Sequence, residues 1–448
     1  MGRLVVVSNR VPAAQGRLQS AGGLAVALRA ALKEGSCLWF GWSGRQVAGH
    51  DGYDPEVSLD EVGNVTYATI DLTHAEYDGF YQKYSNGILW PLCHYRAGLM
   101  NYDRKDQKIY QDVNALFARK LLPLLQPGDR IWIHDYHLFP LGQALRDLGV
   151  TAPIGFFLHI PFPPWSLMRA LPHADGLLRT MQAYDVIGVQ TEDDARNMND
   201  GFSIVGVEAK ARVFPIGIDP ENFAKQAEEG LTHPDVKKLK ESLSGKPFII
   251  GVDRLDYSKG LLARFKGYET FLARYPEHRG KVDYLQVAPV SRGNVPEYRA
   301  LRRDLDEAAG RINGTYGTYD WTPIRYLTHP VPRALLASFY RLADVALVTP
   351  LRDGMNLVAK EYVAAQDKAD PGVLILSHFA GAAPEMESAL MVNPHDADEI
   401  ADALHKALTM PAGERRARWD LLEPDVWRVT AVTWAYNFIT ALSEARPA

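Results

Sequence analysis

Short apolar runs alternate with amphipathic stretches along most of the chain. The runs are rich in Val, Ile and Leu, which is typical of buried strands. They lie at residues 4–7, 130–133, 154–158, 186–189, 248–252, 282–287, 324–327, 345–348 and 373–376. Most are followed by a polar loop and then by apolar residues at helical spacing. Alternating strands and helices predict an α/β fold with parallel, doubly wound sheets.

The length of 448 residues predicts two domains, because single hydrophobic cores stop growing at about 250–300 residues. Residues 220–246 are polar and rich in lysine, which favours a hinge between the domains. We therefore expect one Rossmann-like domain at residues 1–235 and a second at residues 236–448. An exposed helix within one domain is the alternative for residues 220–246.

Composition narrows the classes of function. The formal net charge is −5, from 54 acidic and 49 basic residues, which argues against a surface that binds nucleic acid. No apolar stretch is long enough for a transmembrane helix, so we expect no membrane partner. Cys37 and Cys93 lie in apolar segments, which suits reduced thiols in a cytoplasmic protein. A homo-oligomer is compatible with this composition.

The loop that follows the strand at residues 345–348 is the first candidate site. Asp353 and Gly354 lie in this loop, and Glu361 lies in the helix that the downstream pattern predicts. In an open α/β sheet such loops bind ligands, and the free N–H groups at the start of a helix attract phosphate. Carboxylates bind sugar hydroxyls. The alternative is that Asp353 caps the helix and Glu361 is a solvated helix residue.

Arg254 and Lys259 form a second candidate, on the loop after residues 248–252. Two cations beside the start of a helix suit a diphosphate and the charge that develops when it departs. A surface loop in which these cations pair with Asp253 and Asp256 is the alternative.

The first strand leads to Arg10 and then to Gly22 and Gly23, ahead of a helical pattern. Two glycines at this point predict a phosphate-binding turn, although most such pairs only form a turn. The segment is not Gly-x-Gly-x-x-Gly and no acidic residue follows at the spacing for a nicotinamide cofactor, so a dehydrogenase is disfavoured.

Residues 37–130 are rich in aromatic residues and show no clear period, so we expect this region to be largely irregular. Beyond it, two predicted strands end in His134 with Asp135, and in His159. The spacing lacks a helical His-x-x-x-His pair and no thiolate is near, so zinc is disfavoured there. We predict no metal and no cofactor.

Several segments together resemble one enzyme family. They are Ser8–Arg10, 21–24, 39–44, 134–137, 157–163, 254–260 and 350–366, in the family's order and extending to about residue 410. These segments resemble the trehalose-6-phosphate synthases, glycosyltransferase family 20. That family comprises retaining glucosyltransferases of the glycosyltransferase-B fold, with two Rossmann-like domains facing across a cleft. The resemblance implies an acceptor domain first and a nucleotide-sugar domain second, with a last helix that can cross back to the first.

The resemblance also implies roles for individual residues. The donor, a nucleoside diphosphate glucose, would be held by Gly22, Gly23, Arg254, Lys259, Asp353, Gly354, Met355, Asn356, Leu357, Val358 and Glu361. The acceptor, glucose 6-phosphate, would be held by Arg10, Tyr81, Trp90, Asp135 and Arg292. The resemblance places His159 on the transferred glucose, so the expected catalytic set is Arg254, Lys259, Asp353, His159 and Asp135.

The implied reaction forms trehalose 6-phosphate with retention and without a metal. Alternatives are a transferase with another acceptor such as glycerol 3-phosphate, a pseudo-glycosyltransferase, a non-catalytic sugar-phosphate sensor and a phosphorylase-like enzyme. Val331 stands where the family can carry an aromatic residue near the nucleobase. This favours uridine as the base, with ADP-glucose and GDP-glucose as the other candidate donors.

Overall fold

The apolar runs form two separate sheets, each in its own structural unit. A computed structural model describes residues 2–11, 36–49, 53–290 and 296–445. Unit 1 comprises Met1–Ile216 and Ala431–Ala448, and unit 2 comprises Gly217–Thr430. Gly22, Gly23 and Arg292 lie outside the described residues.

The first unit contains an eight-stranded sheet of order β3-β4-β2-β1-β5-β6-β7-β8. Its strands are β1 (Leu4–Arg10), β2 (Cys37–Val47), β3 (Ser58–Val62), β4 (Val65–Thr73), β5 (Arg130–His134), β6 (Ile154–Phe157), β7 (Val186–Val189) and β8 (Ala211–Val213). Only β3 is antiparallel to its neighbour among these pairs. Val5, Val6 and Val7 are fully buried, because both faces of a doubly wound sheet are covered.

The helices of the first unit include one element of a rare type. The α-helices before residue 217 are α1 (His74–Glu76), α2 (Trp90–Cys93), α3 (Arg104–Leu121), α4 (Leu141–Asp147), α5 (Trp165–Met168), α6 (Ala174–Thr180) and α7 (Glu192–Val205). Between α1 and α2 the chain forms a π-helix, Tyr77–Leu89, of 13 residues. Such helices are rare and occur mostly as single turns, frequently at functional sites. The expectation that residues 37–130 are largely irregular was therefore wrong, because three strands, α3 and the π-helix lie there.

The second unit contains a six-stranded, parallel sheet of order β11-β10-β9-β12-β13-β14. Its strands are β9 (Phe248–Val252), β10 (Asp283–Val287), β11 (Ile324–Leu327), β12 (Val345–Val348), β13 (Val373–Ser377) and β14 (Leu390–Val392). Its α-helices are α8 (Pro220–Glu229), α9 (Pro234–Leu243), α10 (Leu261–Arg274), α11 (Pro296–Tyr316), α12 (Arg333–Leu342), α13 (Leu357–Ala365), α14 (Ala397–Thr409) and α15 (Ala412–Arg428). The order reverses between β9 and β12, which is the topological switch point where such sheets bind ligands.

The boundary between the units lies earlier in the chain than the predicted boundary at 235/236. It falls between Ile216 and Gly217, because α8 packs against α12 and α13 of the second unit. Ser338 Oγ on α12 donates a hydrogen bond to Ala227 O at 3.1 Å. The polar segment 220–246 therefore forms α8 and α9 rather than an extended hinge.

The last helix, α16 (Ala431–Glu444), belongs to the first unit. Its Phe438 packs against Gly155 on β6 and Gly188 on β7, where an added Cβ would lie only 2.7 and 2.8 Å from the ring. Glycine at these two positions lets the helix approach the sheet closely. No helix among the described residues has the length and apolar character to span a membrane.

Candidate active site

The loops that follow β9 and β12 meet at the switch point of the second sheet. Gly260 has a φ of +66°, and a Cβ there would lie 2.3 Å from Thr349 O. Leu351 N donates a hydrogen bond to Ser258 O at 2.8 Å. Gly260 is therefore required both by its backbone conformation and by the closeness of the two loops.

Lys259, Asp353 and Asn356 form a polar cluster across these loops. Lys259 Nζ is paired with Asp353 Oδ2, and Asn356 Nδ2 donates to the same oxygen at 3.0 Å. Asn356 has a left-handed backbone with φ 76°, and its Oδ1 accepts the Ala359 N–H at 3.3 Å. Asn356, not Asp353, is thus the residue that caps α13. Leu357 and Val358 begin the helix, so their N–H groups lie in the first turn.

The chain between Asp353 and Asn356 is fixed by the loop after β13. Asp353 N donates to Phe379 O at 3.1 Å, and Met355 O accepts the Ala382 N–H at 2.7 Å. A Cβ on Gly381 would lie 1.7 Å from Gly354 O. Glycine is therefore required at position 381, because any side chain there would collide with the backbone at Gly354.

Glu361 accepts two hydrogen bonds from one arginine. Its Oε1 lies 3.2 Å from Arg333 Nε and 2.8 Å from Arg333 Nη2. Burial raises the pKa of Glu361, and the charge of Arg333 opposes that shift. Glu361 is thus not a solvated helix residue. No motif or spacing indicated a role for Arg333, which begins α12.

Arg254 is exposed at the start of the β9 loop. The neighbouring acids that could pair with the loop cations have buried partners. Asp253 pairs with Arg264 Nη2 at 2.7 Å, and Asp256 Oδ2 accepts from Tyr298 Oη at 3.0 Å. These contacts argue against a simple surface loop with exposed ion pairs.

Arg264 on α10 is a buried cation that sequence reasoning missed. Its side chain is fully buried, and it contacts the ends of three neighbouring strands. It donates to Asp253 after β9, to Gln286 Oε1 on β10 at 3.1 Å and to Thr349 Oγ1 after β12 at 2.9 Å. A sequence signal was present, because position 264 shares the apolar helix face of Leu261 and Tyr268.

In the first unit, Arg10 lies at the carboxyl end of β1. Its guanidinium carbon is 5.7 Å from the centre of the Trp42 ring, a cation–π distance. Gly44, with φ +92°, lies against the same guanidinium, since an added Cβ would be 2.7 Å from Arg10 Nε. The side chain of Arg10 is thus bounded by an aromatic face and by a glycine.

The π-helix places Tyr81 between two other rings. Tyr81 stacks on His137 with ring centres 5.6 Å apart and planes at 9°, and on Tyr77 at 5.3 Å. Asn86 Nδ2 donates to Tyr81 O at 2.8 Å, and Asn86 Oδ1 accepts from Tyr136 Oη at 2.8 Å. His137, which had no role in the sequence reasoning, therefore orients Tyr81.

Trp90, the other predicted aromatic contact, is buried at the start of α2. Its ring centre lies 4.1 Å from that of His94 and 5.7 Å from that of Tyr136. The ring is therefore held by neighbouring aromatic side chains.

Asp135 and His159 follow the adjacent strands β5 and β6 and lie together. Asp135 has φ 77° and ψ 164°, a backbone region that is costly for a residue with a side chain. Its Oδ1 accepts the His159 N–H at 3.3 Å. Strain of this kind is concentrated at functional sites, which favours a role for Asp135.

His134 and His159 form a buried imidazole pair, with His134 Nδ1 3.1 Å from His159 Nε2. Burial lowers the pKa of His159 to about 3. Burial, and then the neighbouring His159, lower the pKa of His134 well below its ordinary value. The rings are therefore neutral near pH 7, and His159 can position a hydroxyl by hydrogen bonding but cannot carry a charge there.

The comparison with known families decides the classification of the chain. The model described as glycosyltransferase family 20 matches residues 3–444. The chain belongs to glycosyltransferase family 20. The predicted α/β fold with doubly wound sheets, of the glycosyltransferase-B class, is confirmed by solved relatives.

Three relatives of this family 20 chain illustrate the similarity. Trehalose-6-phosphate synthase from Sinorhizobium fredii (strain NBRC 101917 / NGR234) is 47% identical over 464 residues, covering 99% of this chain and 98% of the relative. A UDP-forming α,α-trehalose-phosphate synthase from Burkholderia xenovorans, solved with glucose-6-phosphate, has a TM-score of 0.94 and 44% identity, covering 99% and 100% of the two chains. The E. coli structure bound with UDP-2-fluoro glucose has a TM-score of 0.94 and 47% identity, covering 100% of both chains.

Proposed function

We propose that this family 20 chain transfers glucose from UDP-glucose to glucose 6-phosphate, forming α,α-trehalose 6-phosphate and UDP. The observation that carries the proposal is the convergence of Lys259, Asp353 and the start of α13 at the switch point of the second sheet. A cation, a carboxylate and free N–H groups suit a diphosphate joined to a sugar. The ligands of the two solved relatives support the same pair of substrates.

The donor would be bound by the second unit. Arg254 and Lys259 would contact the diphosphate, and Asp353 the glucose hydroxyls. Glu361, held by Arg333, would accept hydrogen bonds from the ribose hydroxyls. The backbone from Gly354 through Met355, Asn356, Leu357 and Val358 would complete the site, and the family resemblance assigns Gly22 and Gly23 to donor binding as well. Donor binding would give Lys259 a new partner in place of Asp353.

The acceptor would be bound mostly by the first unit. Arg10 would hold the phosphate of glucose 6-phosphate, a role that the family resemblance assigns to Arg292 as well, and Tyr81 and Trp90 would line its sugar ring. Asp135 would bind acceptor hydroxyls, and neutral His159 would bind the transferred glucose. Charged acceptor groups would then meet arginines, while the flat sugar faces meet aromatic rings.

The chemistry would depend on positioning and on stabilising the departing charge. The anomeric hydroxyl of the acceptor would form a bond to donor C1 on the face from which the diphosphate leaves. The bond between C1 and the diphosphate oxygen would break, and that oxygen would take the hydroxyl proton. Arg254 and Lys259 would stabilise the charge on the leaving phosphate, the largest catalytic contribution in many such sites.

These steps require no metal or other cofactor. Both substrates are charged and do not cross membranes unaided, so the activity fits a cytoplasmic protein.

The experiment that tests the proposal is a panel of donors, each assayed with glucose 6-phosphate and with glycerol 3-phosphate as acceptor. UDP-, ADP- and GDP-glucose are compared by release of the nucleoside diphosphate, and the disaccharide is identified by NMR. We expect UDP-glucose to be preferred, the product to be α,α-linked, and turnover to survive exhaustive chelation. Preference for glycerol 3-phosphate over glucose 6-phosphate, or loss of turnover that magnesium restores, would contradict the proposal.

A further inference from the structure

One carboxylate and two imidazoles converge on the second unit, remote from the strand-end loops. Glu277 and His278 belong to the 3-10 turn Pro276–His278 that follows α10, and His405 lies on α14. Their candidate ligand atoms all lie within 4.8 Å of one another. Since a helix between parallel strands runs back across the sheet, the end of α10 lies at the edge opposite the β9 loop.

The distances between these atoms are near those of a metal site. His278 Nε2 lies 3.0 Å from His405 Nδ1, and Glu277 Oε1 lies 3.8 Å from the same nitrogen. Around a tetrahedral zinc ion with bonds of about 2.0–2.1 Å, ligand atoms are about 3.4 Å apart. To bind zinc, the two imidazole nitrogens would move slightly apart. The half-exposed carboxylate of Glu277 would move slightly closer to His405.

Neighbouring side chains hold the geometry of this cluster. Tyr275 stacks on the His405 ring, with centres 4.1 Å apart and planes at 7°. Tyr275 Oη donates to Asp402 at 2.6 Å. Arg274 is paired with Asp398 at 2.9 Å and Asp402 at 3.0 Å, and Lys281 is a second cation whose charge acts on His278. Orienting contacts of this kind are typical around metal-binding histidines.

We propose that Glu277, His278 and His405 bind one divalent transition-metal ion, best matched by Zn²⁺, with water as the fourth ligand. Two imidazole nitrogens and one carboxylate oxygen suit zinc, whereas Mg²⁺ and Ca²⁺ prefer oxygen ligands. The ion would connect the turn after α10 to α14. This site is independent of the proposed transferase reaction.

The competing explanation is a plain hydrogen bond between His278 and His405. Such a bond accounts for the imidazole pair, and the Glu277 carboxylate would then pair with His405 at 3.8 Å only when that imidazole is protonated. The two explanations differ in what happens when a metal is added.

The test uses the full-length chain without a histidine tag, stripped with a chelator and titrated with Co²⁺ as a coloured probe. We expect one equivalent to give the visible absorption of four-coordinate cobalt, and Zn²⁺ to displace it. His278→Gln and His405→Gln should each weaken binding by more than about tenfold, since outer-shell changes alone cost 10–100-fold. His395→Gln, an exposed histidine elsewhere on this unit, is the matched control.

A second measurement separates binding from misfolding. Each stripped variant is melted with and without Zn²⁺, because a ligand that binds only the folded state raises Tm. We expect Zn²⁺ to raise the Tm of the wild type and of His395→Gln, but not of the double variant His278→Gln/His405→Gln. Absence of cobalt colour in the wild type, or the same colour and Tm rise in the double variant, would overturn the proposal.

If the chain binds no metal at this site, transferase turnover should be unaffected. If the chain shows no transferase turnover, metal binding should be unaffected. The two proposals can therefore fail separately.

Discussion

Lys259 and Asp353 form an ion pair that joins the loop after β9 to the loop after β12. The two residues are 94 positions apart in the chain. Each side chain is largely shielded from solvent, so the pair holds both loops in place before any substrate arrives. A diphosphate that takes Lys259 would release Asp353 to accept hydrogen bonds from a sugar.

The first prediction concerns the ammonium group of Lys259. Lys259→Met should lower kcat for glucose transfer by about 100-fold or more, since one such preorganised donor contributes about 10²–10³ in rate. The measurement is steady-state release of UDP at saturating glucose 6-phosphate. Lys266→Met, which changes an exposed lysine on α10, should keep wild-type turnover. A rate within about threefold of wild type for Lys259→Met would remove the lysine from the leaving-group role.

The second prediction concerns the position of Arg10. Gly44→Ala would place a Cβ 2.7 Å from the guanidinium and should raise KM for glucose 6-phosphate by about tenfold, equivalent to about 1.4 kcal/mol. Gly63 also has a positive φ, +63°, but a Cβ there meets nothing within 4 Å. Gly63→Ala thus strains the backbone without displacing a neighbouring side chain, and it should leave KM for glucose 6-phosphate unchanged. Equal KM values for the two variants would show that Arg10 does not hold the acceptor.

The third prediction concerns the buried contacts of Arg264. Arg264→Met leaves Asp253 buried without its partner and should lower the stability of the second unit by about 3–5 kcal/mol. Thr349→Val removes only the hydroxyl that accepts a hydrogen bond from Arg264 Nε, and it should lower the free energy of unfolding by about 1–3 kcal/mol. Arg303→Met, at a side chain that is 77% exposed, should cost less than about 0.5 kcal/mol. Urea unfolding tests this order, and equal midpoints for all three variants would contradict it.

The fourth prediction concerns stability in acid. His134 and His159 have lowered pKa values in the folded state, to about 3 for His159, whereas an unfolded histidine titrates near about 6.5. Below that pH the unfolded chain binds protons that the folded chain does not, so stability falls as the pH is lowered from about 6.5 towards 3. Each histidine contributes a slope of up to about 1.4 kcal/mol per pH unit.

His134→Gln should remove one of these contributions. The urea midpoint, measured at a series of pH values between about 7.5 and 4.5, should then fall less steeply than in the wild type. A variant whose midpoint falls as steeply as that of the wild type would show that His134 is not held neutral.

Most of the parallel strands could be predicted from the sequence, because a strand buried on both faces consists of a continuous run of apolar residues. Most strands from β5 onward follow this pattern, as in Phe248–Val252 and Val345–Val348. β8 (Ala211–Val213) and β14 (Leu390–Val392) were not predicted, because each is only three residues long. β2 (Cys37–Val47) was missed, because its aromatic and glycine residues obscure the apolar run. The π-helix was missed because the usual helical template has a period of 3.6 residues and does not describe a helix with i→i+5 hydrogen bonds such as Tyr77–Leu89.

The candidate site was predictable only in part. Strand, loop and helix signals located the loops that carry Lys259 and Asp353, because ligand loops follow strand ends. Their ion pair could not be deduced, since nothing local connects positions 94 residues apart. The left-handed conformation of Asn356 and the pairing of Arg333 with Glu361 likewise depend on tertiary packing.

The geometry of the π-helix Tyr77–Leu89 depends on the number of residues in the segment as well as on their side chains. Losing one residue there would shift the register of every residue that follows within the helix, and each residue of an α-helix accounts for about 100° of rotation. Tyr81 would then no longer stack on His137, and Asn86 could no longer donate its hydrogen bond to Tyr81 O. Single-codon deletions across this stretch should therefore be far more damaging than conservative replacements at the same positions.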